Sequence, residues 1–347
     1  MNKKYPKVSV VTAMYNHKPY LKRRIDSILH QTLRDWEWII VDDRSPDGSF
    51  EYARELTRHD PRVTVLQNET NSHIAYTNQR GIELARGEFL YRTDSDDYCD
   101  YRFLERMVDV LEKHPNVVMA HCRGLYLDQN DCSWGGWPKK SGYVLSGWDE
   151  FRRILVQYHI KSPTILFRRE TALAGGGFAT LPLLCNHDWY LSLRACLLGD
   201  IAFIDEPLAA HRRHGGNLSE DMVRQTDAAQ MEIELFGVID DVLSRVPAEH
   251  AGEVQELRTA AYRQAAASVL TVAHWARNNA RESDAEQLVG MVQRYIALSD
   301  VPNNEVPIGL QQRLVRLGFP LIKPLTYRKL RPLQAGQASM TMGDARQ

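Results

Sequence analysis

The chain has 347 residues, of which 44% are hydrophobic and 25% are charged, so it is long enough for one large or two medium-sized globular domains. Lysine and arginine (43) nearly balance aspartate and glutamate (44), and the resulting net charge of −1 gives no support for nucleic-acid binding. The five cysteines are scattered, and no apolar run approaches the roughly 18 residues of a membrane-spanning helix, so we expect a cytoplasmic protein without disulfides.

Strand and helix patterns alternate through the first part of the chain. A β-branched run over residues 8–13 predicts a strand, and apolar residues at a helical period follow over residues 19–29. The pattern repeats, with strands predicted at 36–41, 63–66 and 88–91 and helices at 50–56 and 74–85. Near-continuous apolar strands separated by amphipathic helices predict an α/β fold with a mostly parallel sheet covered on both faces. Ligands of such sheets bind beyond the carboxyl ends of the strands.

The rest of the chain changes character twice. A helix at 101–114 and a strand at 117–121 continue the α/β pattern, and residues 124–147, rich in Gly, Trp and Asp, are predicted to form a long irregular loop. Further on, Ala, Glu, Leu and Arg dominate, and helical patterns extend to about residue 298. We therefore predict an α/β domain over 1–218, a helical region over 219–300 and a basic, apolar and partly disordered tail over 301–347.

Asp94, Asp96 and Asp97 place three carboxylates within four residues at the end of a predicted strand. Such carboxylates repel one another unless a cation is supplied, and a divalent ion that bridges substrate phosphates would supply it. The alternative is an acidic turn that caps the following helix. Asp42 and Asp43 close an earlier strand, where a carboxylate can accept hydrogen bonds from a ribose or a base, or can cap the turn that follows.

Five segments occur together in the order and spacing of a known family: residues 8–16, 27–32, 40–48, 85–90 and 94–97. Over about residues 6–215 the chain resembles the family 2 inverting glycosyltransferases of the bacterial surface-polysaccharide type. This resemblance implies the GT-A fold, in which helices flank a Rossmann-like, mostly parallel central sheet, here with a C-terminal helical region. It also implies a nucleotide-sugar donor, with UDP as the expected nucleotide and dTDP or GDP as alternatives.

The resemblance implies roles for the residues at the strand ends. Ala13 and Tyr15 line the base pocket, and Asp43 contacts the base or the ribose. In the family, an Asp-x-Asp motif and the carboxylate beside it hold the donor diphosphate through Mn²⁺ or Mg²⁺. Asp94 is the first aspartate of this motif, so it also belongs to the nucleotide site. These metal ligands are Asp94, Asp96 and Asp97.

Two later segments are also similar to family motifs. Residues 186–194 resemble the Glu-Asp segment, whose aspartate is the catalytic base; Asp188 holds this position, and His187 stands where Glu is common. On the residues alone, Asp188 equally fits a helix cap. Residues 211–219 resemble the basic segment that closes over the diphosphate, whereas on the residues alone they fit a solvated basic edge. The implied diphosphate-binding residues are Arg212, Arg213 and His214.

The chain departs from the family before its fourth strand. The usual Asn-x-Gly and Arg-Asn-x-Gly are replaced by Asn71-Ser72-His73 and Asn78-Gln79-Arg80-Gly81, which leaves open how His73 and Gln79 meet the donor.

Aromatic residues in the predicted loop suit a sugar ring, so Trp134 and Trp137 are candidates for an acceptor wall, with Trp189 as a third. The alternative is a loop that is anchored by burying its indoles. The spacing of three histidines gives no support for a zinc site: His121, His159 and His187.

These motifs together predict a metal-dependent inverting glycosyltransferase of the hexosyltransferase type. The acceptor is expected to be a hydroxyl of a saccharide or a lipid-linked saccharide, with Asp188 taking its proton. A catalytically weak nucleotide-sugar-binding module of a larger polysaccharide synthase is one alternative. A nucleotidyltransferase is another, and the absence of a Gly-rich phosphate loop with a following lysine disfavours it.

The C-terminal tail combines basic and apolar residues. Between residues 306 and 333 it contains six Lys or Arg residues, no acidic residue and several leucines, a composition typical of membrane-surface binding. Peripheral contact with the inner face of the plasma membrane is one interpretation. The other is packing of these leucines on the helical region or on a second copy of the chain in a homo-oligomer.

Overall fold

The computed structural model describes residues 5–136, 141–177, 181–217, 227–279 and 281–298. These described residues fall into two compact units. The first contains residues 5–151 and 159–217, and the second contains residues 152–158 and 227–298, each with the gaps given above. Trp137 and the tail over 301–347 lie outside the described residues.

Four parallel strands form the first half of the central sheet, in the order β3-β2-β1-β4. All seven residues of β1 and of β2 are buried, as expected for strands covered on both faces. The predicted elements are confirmed, with their ends shifted by one to three residues. The strands are β1 (Val8–Met14), β2 (Trp36–Asp42), β3 (Val63–Gln67) and β4 (Phe89–Asp94), and the helices between them are α1 (Lys18–Leu29), α2 (Ser49–Thr57) and α3 (His73–Leu84).

The second half of the sheet is mixed, and the sequence predicted little of it. It continues the order as β4-β9-β6-β10-β5, with β9 antiparallel to both of its neighbours and β6 parallel to β10. The strands are β5 (Tyr98–Cys99), β6 (Val117–Leu127), β7 (Ser133–Gly136), β8 (Tyr143–Leu145), β9 (Ile165–Arg168) and β10 (Asp200–Arg212). The helices are α4 (Phe103–Lys113), α5 (Gly147–Val156), α6 (Arg169–Ala174) and α7 (His187–Cys196).

The prediction of an irregular loop over residues 124–147 was therefore wrong in part. β6 continues through Leu127, and two short strands, β7 and β8, follow it. β7 pairs with β6, and β8 pairs with β10, so backbone hydrogen bonding within the sheet overrides the low strand propensity of the glycines.

A continuous apolar core lies between the sheet and the helices α1 and α4. Ile25 of α1 and Phe103 and Met107 of α4 are at most 1% exposed and pack in the same cluster as Val10 and Trp38 of the sheet. Because this core covers one face of β1, β2 and β4, it fixes the positions at which those strands end. The site described below is built on those ends.

One glycine of the recognised motifs has a clear packing role. A Cβ at Gly87 would collide with the backbone of Ser9, whose Oγ accepts a hydrogen bond of 2.7 Å from the Gly87 amide. The close approach sets the start of β4 beside β1. It thereby sets the register in which Asp94, at the other end of β4, faces Ala13.

The second unit is helical, as the composition predicted. Phe236 stacks on Tyr295 with ring centroids 3.7 Å apart and lies edge-on to Tyr262. Among the described residues, no helix is long and apolar enough to cross a membrane. The helices are α8 (Ala228–Glu232), a π-helical turn (Ile233–Gly237), α9 (Val238–Leu243), α10 (Val254–Asn278) and α11 (Glu282–Leu298).

Candidate active site

The carboxyl ends of β1, β2 and β4 meet at one edge of the sheet. In the parallel register Ala13 lies opposite both Val41 and Asp94, and Met14 lies opposite Asp42. Tyr15 follows directly and is 42% exposed. Three of the residues assigned to nucleotide binding are thus neighbours at the edge where ligands of such sheets bind.

The two aspartates after β2 have different contacts. Asp42 holds its own turn, because its Oδ2 accepts hydrogen bonds from the Ser45 amide (3.0 Å) and from Gln67 Nε2 (2.9 Å). Asp43 is buried, and its Oδ1 accepts hydrogen bonds from Asn68 Nδ2 (2.7 Å) and from the Ser72 amide (2.8 Å). Asp43 therefore ties the end of β2 to the segment that leads into α3.

Asp94 is paired with an arginine that the sequence analysis missed. Arg92 Nη1 and Nη2 donate to the two carboxylate oxygens of Asp94 at 3.0 and 2.6 Å, and Arg92 Nε donates to Asn78 Oδ1 at 3.1 Å. The arginine side chain is 7% exposed and that of Asp94 is 25% exposed. Residues two apart on a strand share a face, so the Arg-x-Asp spacing was the available signal.

Asp96 is surrounded by imidazoles. His214 Nε2 lies 3.1 Å from Asp96 Oδ2, Asn217 Nδ2 donates to the same oxygen at 3.3 Å, and His17 Nδ1 lies 3.9 Å from Oδ1. Burial raises the pKa of the Asp96 carboxyl, but the charges of His17, His214 and His211 outweigh it and hold the pKa well below its usual range. The carboxylate form is therefore strongly favoured.

His17, Asp96 and His214 could hold a metal ion, because one ligand atom from each lies within 4.8 Å of the others. One carboxylate and two imidazoles suit a first-row transition metal better than Mg²⁺, which prefers oxygen ligands. The sequence analysis proposed Asp96 as a ligand and missed His17. The signal for His17 is its place in the loop that directly follows β1, at the same sheet edge.

The third carboxylate of the acidic group has its own partner. Asp97 is 1% exposed, its Oδ1 accepts a hydrogen bond of 2.8 Å from the Arg212 amide, and His211 Nδ1 lies 3.3 Å from that oxygen. Burial lowers the pKa of His211, but the Asp97 charge raises it more, to about 9. Burial in turn raises the pKa of Asp97, against the attraction of His211. The pair joins the acidic group to the end of β10.

The basic segment at the end of β10 contains three side chains that differ in burial and in contacts: Arg212, Arg213 and His214. Arg212 is buried; its Nε donates to the Asp96 carbonyl (2.8 Å), its Nη1 donates to the Asp128 carbonyl (3.1 Å), and the guanidinium pairs with Asp131. Arg213 is exposed. His214 is half-buried and stacks on Tyr20 with ring centroids 4.7 Å apart.

Asp188 lies in the first turn of α7 and is half-buried. The N-cap of α7 is Asn186, so Asp188 is not the cap residue. Burial raises the pKa of the Asp188 carboxyl, against the attraction of Lys161 and Arg92. His187 beside it is buried, and burial together with the Arg92 charge lowers its pKa to about 3, so its imidazole is neutral at physiological pH.

Comparison with known proteins finds a family match. Residues 9–172 match the profile described as Glycosyl transferase family 2. The match covers a little under half of the chain. Two Bacillus subtilis (strain 168) proteins named as glycosyltransferases are similar: EpsE is 39% identical over 125 residues (36% of this chain), and EpsJ is 36% identical over 126 residues (also 36% of this chain). The chain spans 45% of the length of EpsE and 36% of that of EpsJ.

Solved structures confirm the predicted GT-A fold. The 1–349 fragment of S. aureus TarS in complex with UDP-GlcNAc has a TM-score of 0.54 at 18% identity, covering 83% of this chain and 92% of that fragment. The mannosyltransferase PcManGT from Pyrobaculum calidifontis in complex with GDP-Man and Mn²⁺ has a TM-score of 0.52 at 16% identity, covering 86% of this chain and 85% of that one.

His73 stands at a position where the resemblance noted in the sequence led us to expect glycine. His73 is exposed and has a φ of +66°, in the left-handed region that glycine adopts most easily. The backbone conformation of a glycine is thus kept without the glycine. Because the Ser72 amide next to it donates to Asp43, this strained turn is tied to the residue that follows β2.

The tryptophans assigned to an acceptor wall are placed differently from one another. Trp134, in β7, is 56% exposed and stacks on Tyr126 with ring centroids 4.9 Å apart and an interplanar angle of 15°. Trp189 is 7% exposed. Of these two described indoles, the one on Trp134 offers an open aromatic surface.

Proposed function

We propose that the chain is a metal-dependent inverting glycosyltransferase of the hexosyltransferase type. It moves a sugar from a nucleotide-sugar donor, with UDP as the nucleotide, to a hydroxyl of a saccharide or lipid-linked saccharide acceptor. The observation that carries the proposal is the cluster of His17, Asp96 and His214 at the sheet edge where β1, β2 and β4 end. The match of residues 9–172 to the profile of glycosyl transferase family 2 supports it.

The donor is bound along this edge. Ala13 and Tyr15 contact the base, and Asp43, held by Asn68 and the Ser72 amide, accepts hydrogen bonds from the ribose or the base. The complexes of TarS with UDP-GlcNAc and of PcManGT with GDP-Man support a nucleotide-sugar donor.

The diphosphate lies beside Asp94 and the metal ligands. His17, Asp96 and His214 would hold a divalent ion, which as a Lewis acid neutralises charge on the leaving diphosphate. Exposed Arg213 supplies a guanidinium fork, whose planar geometry matches phosphate oxygens. The complex of PcManGT with GDP-Man and Mn²⁺ supports a divalent metal in this role.

Arg212 and Asp97 position the acidic group and do not bind the donor. The Arg212 guanidinium is buried against the Asp96 carbonyl, and its amide is bonded to Asp97. These two bonds fix the backbone on both sides of the Asp96 carboxylate. The loop thus presents Asp96 to the histidines.

Asp188 is the general base. An acceptor hydroxyl is a weak nucleophile, so a carboxylate must take its proton as the hydroxyl attacks the anomeric carbon and the diphosphate leaves from the opposite face. That geometry inverts the configuration. Burial raises the pKa of Asp188 and so makes its carboxylate a stronger base, which favours proton transfer at neutral pH.

Release of nucleoside diphosphate tests the proposal. Full-length protein is given a panel of nucleotide sugars, including UDP-GlcNAc and GDP-Man, with and without Mn²⁺, and an acceptor hydroxyl is added in excess. We expect Mn²⁺-dependent release from one donor, abolished in Asp96→Asn and retained in the control Asp109→Asn, whose carboxylate lies on α4. Asp188→Asn is expected to keep nucleotide affinity and lose about 10²–10⁴-fold in transfer.

The alternatives give different results in the same assay. Tight nucleotide binding without turnover on any donor would identify a binding module of a larger synthase. Release of pyrophosphate from a nucleoside triphosphate and a sugar phosphate would identify a nucleotidyltransferase. Wild-type turnover of Asp96→Asn in Mn²⁺ would show that the metal assignment is wrong.

A further inference from the structure

A second cluster of metal-ligating side chains lies away from the acidic group. His121 is in the middle of β6, Glu150 is in the first turn of α5, and His159 is in the segment that follows α5. His159 Nε2 lies 3.1 Å from Glu150 Oε1, and one ligand atom from each of the three residues lies within 4.8 Å of the others. His121 precedes the Leu127 end of β6 by six residues, about 20 Å along the strand.

The cluster is buried and includes a charge. Glu150 is 0% exposed, His121 is 3% exposed, and the His159 side chain is 27% exposed. A carboxylate taken fully out of water is costly unless a cation or several donors compensate it. Glutamate is almost never fully buried without such a partner. Glu150 lies against two imidazoles, where a bound cation would offset the charge of its carboxylate.

The surroundings match those of a bound metal. Phe203 lies 4.9 Å and Tyr143 lies 6.3 Å from the His121 ring, centroid to centroid, and the His159 ring lies 5.9 Å from it. An apolar shell of this kind controls solvent access and strengthens metal–ligand bonds. His159 is the one partly exposed member, so it provides the path by which an ion enters.

We propose that His121, Glu150 and His159 bind a Zn²⁺ ion that ties α5 and the segment after it to the central sheet. Two histidines and one glutamate are a known three-ligand set for Zn²⁺, with the fourth position left to water. Mg²⁺ and Ca²⁺ prefer oxygen ligands and do not suit two imidazoles.

The geometry needs only a small adjustment. Bond lengths of about 2.0–2.2 Å at tetrahedral angles place ligand atoms roughly 3.3–3.6 Å apart. The separation of 3.1 Å between Glu150 and His159 is already close to this, and the 4.8 Å limit on the other pairs leaves a contraction of about 1.5 Å at most.

A matched pair of variants tests the site on the full-length protein, prepared without a histidine tag and stripped with a chelator. Zn²⁺ alone is titrated against a chromophoric competitor, and bound zinc is counted by mass spectrometry. His159→Ala removes a ligand of the proposed site, and His214→Ala removes a ligand of the Asp96 cluster, which also carries two histidines. We expect His159→Ala to weaken the binding of one zinc by at least the 10–100-fold that loss of a supporting residue costs. His214→Ala should retain that zinc.

Cobalt substitution provides a second readout. Co²⁺ bound by His121, Glu150 and His159 should give the intense visible bands of four-coordinate cobalt in His214→Ala and should not give them in the double variant H214A/E150Q. Less than one zinc per chain in His214→Ala, or equal zinc affinity in His159→Ala and the wild type, would overturn the proposal. The three residues would then form a buried ion pair beside an aromatic ring. If His159→Ala does not fold, the zinc count and the cobalt bands of His214→Ala decide the question.

Discussion

Replacing His73 by glycine should stabilise the first unit. A left-handed conformation costs an L-residue about 1–2 kcal/mol, and His73 adopts it with a φ of +66°. Glycine removes this cost but adds about 0.5–1 kcal/mol of unfolded-chain entropy to be lost on folding. The net gain is about 0.5–1 kcal/mol, which for a unit of this size raises Tm by about 1–4 °C. Because His73 is exposed, little packing is lost with its side chain.

Ala75→Gly is the matched control for this change. Ala75 lies two residues further along α3, and its φ is not positive, so the same glycine should cost about 1 kcal/mol there. Urea unfolding followed by circular dichroism measures both variants against the wild type. Opposite signs are expected. If His73→Gly destabilises the protein as Ala75→Gly does, the left-handed conformation at residue 73 is not the one that the folded protein occupies.

The nucleotide site gives this prediction a second test. The Ser72 amide donates to Asp43 Oδ1, and glycine at position 73 keeps the backbone conformation on which that hydrogen bond depends. The affinity of His73→Gly for UDP should therefore remain within a few-fold of the wild type. A large loss would mean that the imidazole itself contacts the donor.

Four further outcomes are expected. The rate of sugar transfer should fall as the pH is lowered, with an apparent pKa above the usual aspartate value, because burial raises the pKa of Asp188. A raised folded-state pKa means that the ionised carboxyl destabilises the fold above its unfolded pKa, so Asp188→Asn should raise Tm at pH 7 and not at pH 3. Trp134→Ala should lower acceptor kcat/KM by a few-fold to about tenfold, and a fall in donor hydrolysis as well would contradict an acceptor role. Full-length protein should sediment with anionic liposomes at low salt, and a chain ending at Asn304 should not. Each basic residue of the tail contributes about 1 kcal/mol to binding an anionic membrane surface. Equal amounts of the two proteins left in the supernatant would favour packing of the tail on protein.

Local sequence pattern was sufficient for the first half of the sheet. In β1 to β4 the hydrophobic runs and the helix periods coincide with the elements, because β1, β2 and β4 are buried on both faces and each helix buries one face. The positions of Asp94, Asp96 and Asp188 followed from motifs within single segments. Motifs of this kind can be recognised within one segment, without knowledge of how distant parts of the chain fold.

Pairing between segments that are distant in the sequence explains which features the sequence analysis missed. β10 pairs in parallel with β6, whose residues lie more than 80 positions earlier, and no local period signals such a partner. For the same reason His17 and His214, which meet at Asp96, carry no recognisable spacing. The zinc interpretation of His121 and His159 was set aside on spacing, although the sheet and α5 bring them together with Glu150.

The attachment of Asp97 to Arg212 has a consequence for how the protein is made. The two residues are separated by 115 positions, and His214 and Asn217, which complete the surroundings of Asp96, emerge later still. At about 5–20 residues per second, a ribosome needs roughly 6–23 s to deliver that stretch after Asp97. During this interval β1 to β4 can pair, while the acidic loop still lacks its anchors. Under the proposed function, a donor and a metal ion could stabilise the nascent domain only after β10 has joined the sheet, and truncation before residue 217 should abolish that stabilisation.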